Sequence, residues 1–194
     1  MIKPHIILAL AWIAYCVLHS VFASQWFKQK TTKWMGRNFK YYRFFYSLFA
    51  TVSFFAIVIY HFSIETTRIF TPGIVLQITG GILVITGLVV MALYIFNTGL
   101  RWLIIHDKEQ KLVQNGIHRY VRHPLYSGTF LLIWGLWLVF PSLGLLIVNI
   151  IITIYTLIAI RFEEQKLVSE FGEKYINYKK TTPMIMPRLR FFKY

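Results

Sequence analysis

Apolar positions in this chain run in long unbroken stretches and show no alternation between two faces. Five stretches, residues 6–24, 44–62, 72–96, 124–140 and 143–160, hold no interior Asp, Glu, Lys or Arg. Each is long enough, or nearly so, to cross a hydrocarbon core of about 30 Å as a helix. One charged side chain at mid-bilayer would cost about 2.5–3.5 kcal/mol on insertion scales, so the absence of charge is itself a signature of lipid burial. The pattern predicts an all-α polytopic membrane protein of about five transmembrane helices. Pro72 and Pro124 open two of the stretches, at the position where a helix tolerates proline. The last two are separated only by Pro141 and Ser142, which predicts a helical hairpin followed by a cytoplasmic tail.

Polar residues then set the orientation. Nineteen of the 21 Lys and Arg residues fall in the first and third connections and the tail, against Lys3 and Arg68 on the other side. The positive-inside bias places the N-terminus outside and the C-terminus in the cytoplasm, as five crossings require, in what is expected to be a bacterial inner membrane. No repeat or low-complexity segment interrupts the chain. The expectation is one domain, residues 1–194, with three spans in 1–96 and a hairpin and tail in 97–194.

Composition sharpens this picture at three points. The chain is 57% hydrophobic and only 14% charged, against roughly 25% charged in soluble domains. The net charge of +14 therefore reads as basic loops meeting membrane lipids, not nucleic acid, since no nucleic-acid-binding motif accompanies it. The single cysteine, Cys16, lies within an apolar stretch and is read as a small hydrophobe with no role. A weak signal-peptide reading of the first stretch, with cleavage near Val21-Phe22-Ala23, fails because Lys3 alone precedes the stretch while six basic residues follow it.

Candidate chemistry gathers at the hairpin ends. Its two arms are of nearly equal length, so Arg122-His123 before Pro124 and Glu163-Glu164 after the last stretch end at the same depth. A residue before proline avoids helical geometry, so Arg122 and His123 form a bend at a helix N-terminus, where anions are favoured. Two carboxylates opposite would suit a cation, and together the ends would hold a zwitterion. The bland alternative is a set of interfacial ion pairs. Gly128 and Gly135, one heptad apart, admit close approach of either a neighbouring helix or a flat ligand. His19 sits inside the first stretch, where a histidine is a functional candidate, and equally one satisfied by a neighbouring helix.

The residues Gly116-Ile117-His118-Arg119-Tyr120-Val121-Arg122-His123-Pro124-Leu125-Tyr126-Ser127-Gly128 resemble the G-[YH]-x-x-x-R-H-P-x-Y-x-G segment of the isoprenylcysteine carboxyl methyltransferase and phospholipid methyltransferase superfamily. The later run Glu163-Glu164, Leu167, Phe171-Gly172, Tyr175 and Tyr178 resembles the E-E-x-x-L-x-x-x-F-G-x-x-Y-x-x-Y tail of that superfamily. His118 stands where the family usually has Tyr. The start of the chain, His19-Ser20, Ala23-Ser24, Tyr42-Arg43 and Tyr46, is more weakly similar to the bacterial branch of thiol S-methyltransferases and NnrU-like proteins.

The resemblance implies an S-adenosylmethionine-dependent membrane methyltransferase acting on a small or lipophilic thiol or carboxylate. It further implies that Arg122 and His123 face the carboxylate end of S-adenosylmethionine, and Glu163 and Glu164 its ammonium. Val113, Gly116, Tyr126 and Gly128 would line the remaining cofactor surface, and His19 and Arg43 would assist the acceptor. A competing expectation is a haem or metal-binding membrane protein using His19, His61, His106, His118 and His123, although no H-E-x-x-H spacing occurs. A transporter would want interior charges or paired broken helices, and neither is present.

Overall fold

The structure is a computed structural model, described for residues 2–98 and 112–187. Among the described residues its regular elements are helices, with α1 (Ile2–Ala23), α2 (Gln25–Met35), α3 (Tyr42–Ser63), α4 (Ile74–Thr98), α5 (Pro124–Val139), α6 (Leu143–Phe171) and α7 (Glu173–Thr181). The expected stretches are all present as helices. Four helical segments are long and apolar enough to cross a membrane, and α5 is a shorter apolar helix. Differences lie at the ends. The helix after Pro72 begins at Ile74, and α6 runs eleven residues past Ile160 because Glu and Lys are good helix formers once the apolar stretch is over. The connection after the first span holds an unexpected helix, α2, capped by the Ser24 hydroxyl on the Phe27 N–H at 3.2 Å.

Large apolar side chains point outward along the spans. Phe44, Phe55, Phe62, Ile74, Val75 and Ile82 are all exposed. In water such a surface would aggregate; in lipid it is the expected outer face, while the helices satisfy their own backbone groups. The chain is an integral membrane protein of the all-α class.

Its contacts gather in two units that interleave along the chain. The first comprises residues 1–69 and 142–155, the second 70–141 and 156–194, with α6 contributing to both. In the first unit Leu8 and Trp12 of α1 pack with Val148 of α6, flanked by Ile57 and Val58 of α3. The Leu143 N–H donates to the Thr67 carbonyl at 2.9 Å, tying the start of α6 to the chain after α3.

The second unit is built on an antiparallel crossing of α4 and α5. Gly80 meets Gly135 and Gly87 meets Gly128, so that the two heptad-spaced pairs face each other. A Cβ on Gly87 would lie 2.7 Å from the Gly128 carbonyl oxygen, and one on Gly135 2.8 Å from that of Gly80. Backbone touches backbone, which only glycine permits. Of the two uses open to Gly128, the close approach of a neighbouring helix is realised here, with Gly87 and Met91 of α4 against its bare face.

Candidate active site

In the second unit the chain approaches α5 through a 3-10 turn, Gly116–Arg119, and enters the helix at Pro124. Gly116 has φ +61, and a Cβ there would lie 2.6 Å from the Asn97 Oδ1, so both conformation and space demand glycine. Val113 and Gly116 are exposed beside this turn. His123, with φ −122 and ψ 66, stays out of the helical region, as expected of a residue before proline. Beyond the apolar part of α6, the chain turns at Gly172 (φ +53) and returns as α7, so that the tail folds back onto the bend.

A dense set of bonds holds that return. The Arg122 and His123 N–H groups donate to the Pro183 and Met184 carbonyls at 2.9 and 3.1 Å, and the Ser127 hydroxyl donates to the Ile185 carbonyl at 2.7 Å. Arg122 donates through Nη1 to the Lys179 and Thr182 carbonyls at the end of α7, at 3.3 and 2.5 Å. A guanidinium suits that place, since it satisfies orphan carbonyls and opposes the negative end of the helix dipole. Its Nε and Nη2 reach one oxygen of Glu164 at 2.8 and 2.6 Å. The same oxygen lies 3.3 Å from His123 Nε2, and the other oxygen lies 2.9 Å from Lys179 Nζ.

His123, Glu163 and Glu164 thus converge, as arm length requires. Arg122 and Glu164, with side chains only 8% and 11% exposed, are committed to each other. The guanidinium fork joins the carboxylate to the carbonyls at the end of α7, which holds the bend against the returning tail. Glu163 remains, 45% exposed, with its carboxylate 3.7 Å from His123 Nδ1. Tyr126 lies one turn along α5, its ring 5.7 Å from the His123 ring. Val113 and Gly116 are linked to this face through His118, whose Nδ1–H donates to the Arg122 carbonyl at 3.3 Å and whose carbonyl accepts from the Tyr178 hydroxyl at 2.6 Å.

The electrostatics follow from these contacts. Burial by itself would raise the Glu164 carboxyl, but hydrogen bonds from Lys179 and Arg122, the Arg122 charge and the His123 bond outweigh it and hold the group at about 2. Burial lowers His118, against the opposing effect of its bond to Arg122, and pushes the Tyr178 phenol up to about 12. A carboxyl depressed from 4.5 to about 2 stabilises the fold above pH 4.5, and that contribution is lost as pH falls toward 2. The unfolding midpoint in detergent is therefore expected to fall between pH 4.5 and 2, with a shallower slope in Glu164→Gln. Equal slopes in the two proteins would refute this.

His19 and Arg43 belong to the first unit. The Tyr46 hydroxyl lies 3.1 Å from both ring nitrogens of His19, and Tyr15 stacks on the imidazole at 5.8 Å. Arg43 is exposed in the first turn of α3. Nearby, Ser20 and Tyr155 share a hydrogen bond of 2.9 Å, and Cys16 is buried. Among the described residues no three His, Cys, Asp or Glu side chains are grouped to hold a metal, and His106 lies outside the described residues, as do Arg101, Lys108, Lys111, Arg188, Arg190 and Lys193. Lys179 and Tyr155 escaped the sequence reading. Gly172 between two helical runs was the signal that the tail doubles back and brings Lys179 to Glu164.

Comparison with known proteins locates this site within a recognisable region. The family model described as phospholipid methyltransferase matches residues 68–174. The chain is similar to the methanethiol S-methyltransferase of Crocosphaera subtropica, 38% identical over 94 residues, which cover 46% of this chain and 36% of that relative. It is similar to the methanethiol S-methyltransferase of Pseudomonas deceptionensis, 41% identical over 76 residues, 38% of this chain and 28% of the relative. The protein-S-isoprenylcysteine O-methyltransferase of Schizosaccharomyces pombe is 37% identical over 89 residues, 42% and 35% of the two chains. The matched region thus spans about a third of the length of these relatives. No solved structure matches the chain.

Proposed function

Because this chain belongs to the phospholipid methyltransferase family, we propose that it is an S-adenosylmethionine-dependent membrane methyltransferase acting on a small or lipophilic thiol or carboxylate. The observation that carries the reading is the meeting of His123, Tyr126 and the exposed Glu163 at one bend inside the matched region. The residues fit the cofactor chemically: an exposed carboxylate suits an ammonium, an imidazole and phenol suit a polar and aromatic body, and the Gly116 turn exposes backbone.

S-adenosylmethionine, when bound, supplies an electrophilic methyl group on a sulfonium sulfur. Glu163 holds the ammonium, His123 and Tyr126 orient the polar and nucleoside parts, and Val113 and Gly116 cover the remaining edge. Arg122, Glu164 and Lys179 keep the bend and the tail in register, so that orientation is set before the acceptor arrives. In the first unit His19, bonded to Tyr46, takes the proton of a thiol acceptor, and Arg43 offsets the charge of the thiolate or carboxylate. Apolar helix walls exclude water, which favours a step that brings opposite charges to neutrality. The basic connections face the cytoplasm and the N-terminus lies outside, in a bacterial inner membrane.

Purified full-length protein in detergent is expected to bind S-adenosylmethionine saturably and to transfer labelled methyl to small thiols or to an isoprenylcysteine analogue. His123→Ala and Glu163→Ala are expected to weaken cofactor binding about tenfold or more, from loss of a charged hydrogen bond worth about 1.5–3 kcal/mol. His19→Ala is expected to slow transfer while leaving cofactor affinity within about twofold. Absent saturable binding, with both site variants indistinguishable from wild type, the reading is wrong.

A further inference from the structure

Helix α2 packs on the protein only through a half-buried stripe led by Phe27, whose ring lies 5.0 Å from that of Phe22, and its opposite face is left uncovered. None of its residues is buried, and an isolated helix of its eleven residues is marginal in water. Trp26 and Trp34 are 60% and 87% exposed. Spaced i, i+4 and i+8, Trp26, Lys30 and Trp34 share one stripe, with Lys33 beside it. The Lys30 ammonium sits 4.2 Å over the Trp26 ring, which holds its charge at the level of the indole.

The chain fixes the depth of this stripe. Ser24 alone separates α2 from α1, and a 3-10 turn, Gly36–Tyr41, leads straight into α3. Both neighbours are apolar spans, so α2 lies where they leave the hydrocarbon. Residues 25–43 carry six basic side chains and no acidic one. Indoles favour the membrane–water interface, and lysines at that level attract anionic phosphates.

We propose that α2 is an anionic-lipid docking helix: Trp26 and Trp34 seat it in the interface while Lys30 and Lys33 bind the phosphates of acidic headgroups. Lipid covers the Trp26–Trp34 stripe that the protein leaves open, opposite the half-buried Phe27 face. The surface is separate from the methyltransferase reading and stands if that reading fails.

The test uses the full chain in vesicles carrying brominated phosphatidylglycerol or brominated phosphatidylcholine, which quench tryptophan on contact. Wild type is expected to be quenched preferentially by the glycerol lipid at low salt, and the preference is expected to shrink at high salt. Lys30→Gln and Lys33→Gln are each expected to lower it about fivefold. Trp26→Phe with Trp34→Phe is expected to remove most of the lipid-dependent signal. Both sites are exposed, and helical circular dichroism serves as the folding check. A preference unchanged by both lysine variants, or a quenching difference unchanged without the two indoles, overturns the proposal. So does a short RNA that binds in neutral vesicles through Lys30 and Lys33 while no lipid preference is seen.

Discussion

Arg122→Ala is expected to destabilise the protein by about 3–5 kcal/mol, the cost of leaving a buried carboxylate without its partner. The size follows from what the guanidinium does at once. It neutralises Glu164, closes the carbonyl end of α7, and sits where the Arg122 and His123 backbone binds residues 183 and 184. Arg122→Lys is expected to recover only part of the loss, because an ammonium cannot span a carboxylate and two carbonyls as a planar fork does. Arg122→Ala combined with Glu164→Leu is expected to cost less than the sum of the singles, since removing both charges leaves none stranded. The measurement is detergent unfolding of the four proteins. Additive losses would show that the pair is not the unit holding the tail.

At the α4–α5 crossing, Gly128→Ala is expected to destabilise by about 1–3 kcal/mol, the range for overpacking a close contact. The new methyl would stand 2.6 Å from Met91 Cγ and 2.8 Å from the Gly87 carbonyl oxygen, and although the Met91 side chain can yield, the backbone cannot without separating the helices. Gly87→Ala meets the Gly128 carbonyl at 2.7 Å and is expected to act alike. Gly81→Ala, on the same helix but facing open space, is expected to be neutral or to stabilise by about 0.5–1 kcal/mol through helix propensity. Thermal unfolding of the three variants separates packing from propensity. If Gly128→Ala proves as harmless as Gly81→Ala, the two backbones do not touch.

The proposed site would feel the same crossing, because Gly128 lies five residues beyond His123 on the helix that carries Tyr126. Separation of α4 and α5 would carry both rings with it, so on the proposed reading Gly128→Ala is also expected to weaken cofactor binding through misplacement.

Apolar stretch length, free of charges, determined by itself which segments are helices suited to cross a membrane, because an unbroken apolar run of that length satisfies its own backbone in lipid only as a helix. Equal arm lengths likewise brought His123 to Glu163 and Glu164, since rise per residue is a constant of the helix. What linear order could not say is which opposite charges satisfy each other. Arg122 and Glu164 were read at the two ends of a ligand site; that they also bond each other follows from the doubling back at Gly172, which delivers Lys179 and the α7 carbonyls. Gly128 stood equally for a ligand or a helix until α4 arrived with Gly80 and Gly87 at matching spacing. Pairing between distant segments depends on three-dimensional approach, and a one-dimensional pattern carries the ability of each residue to pair without naming its partner.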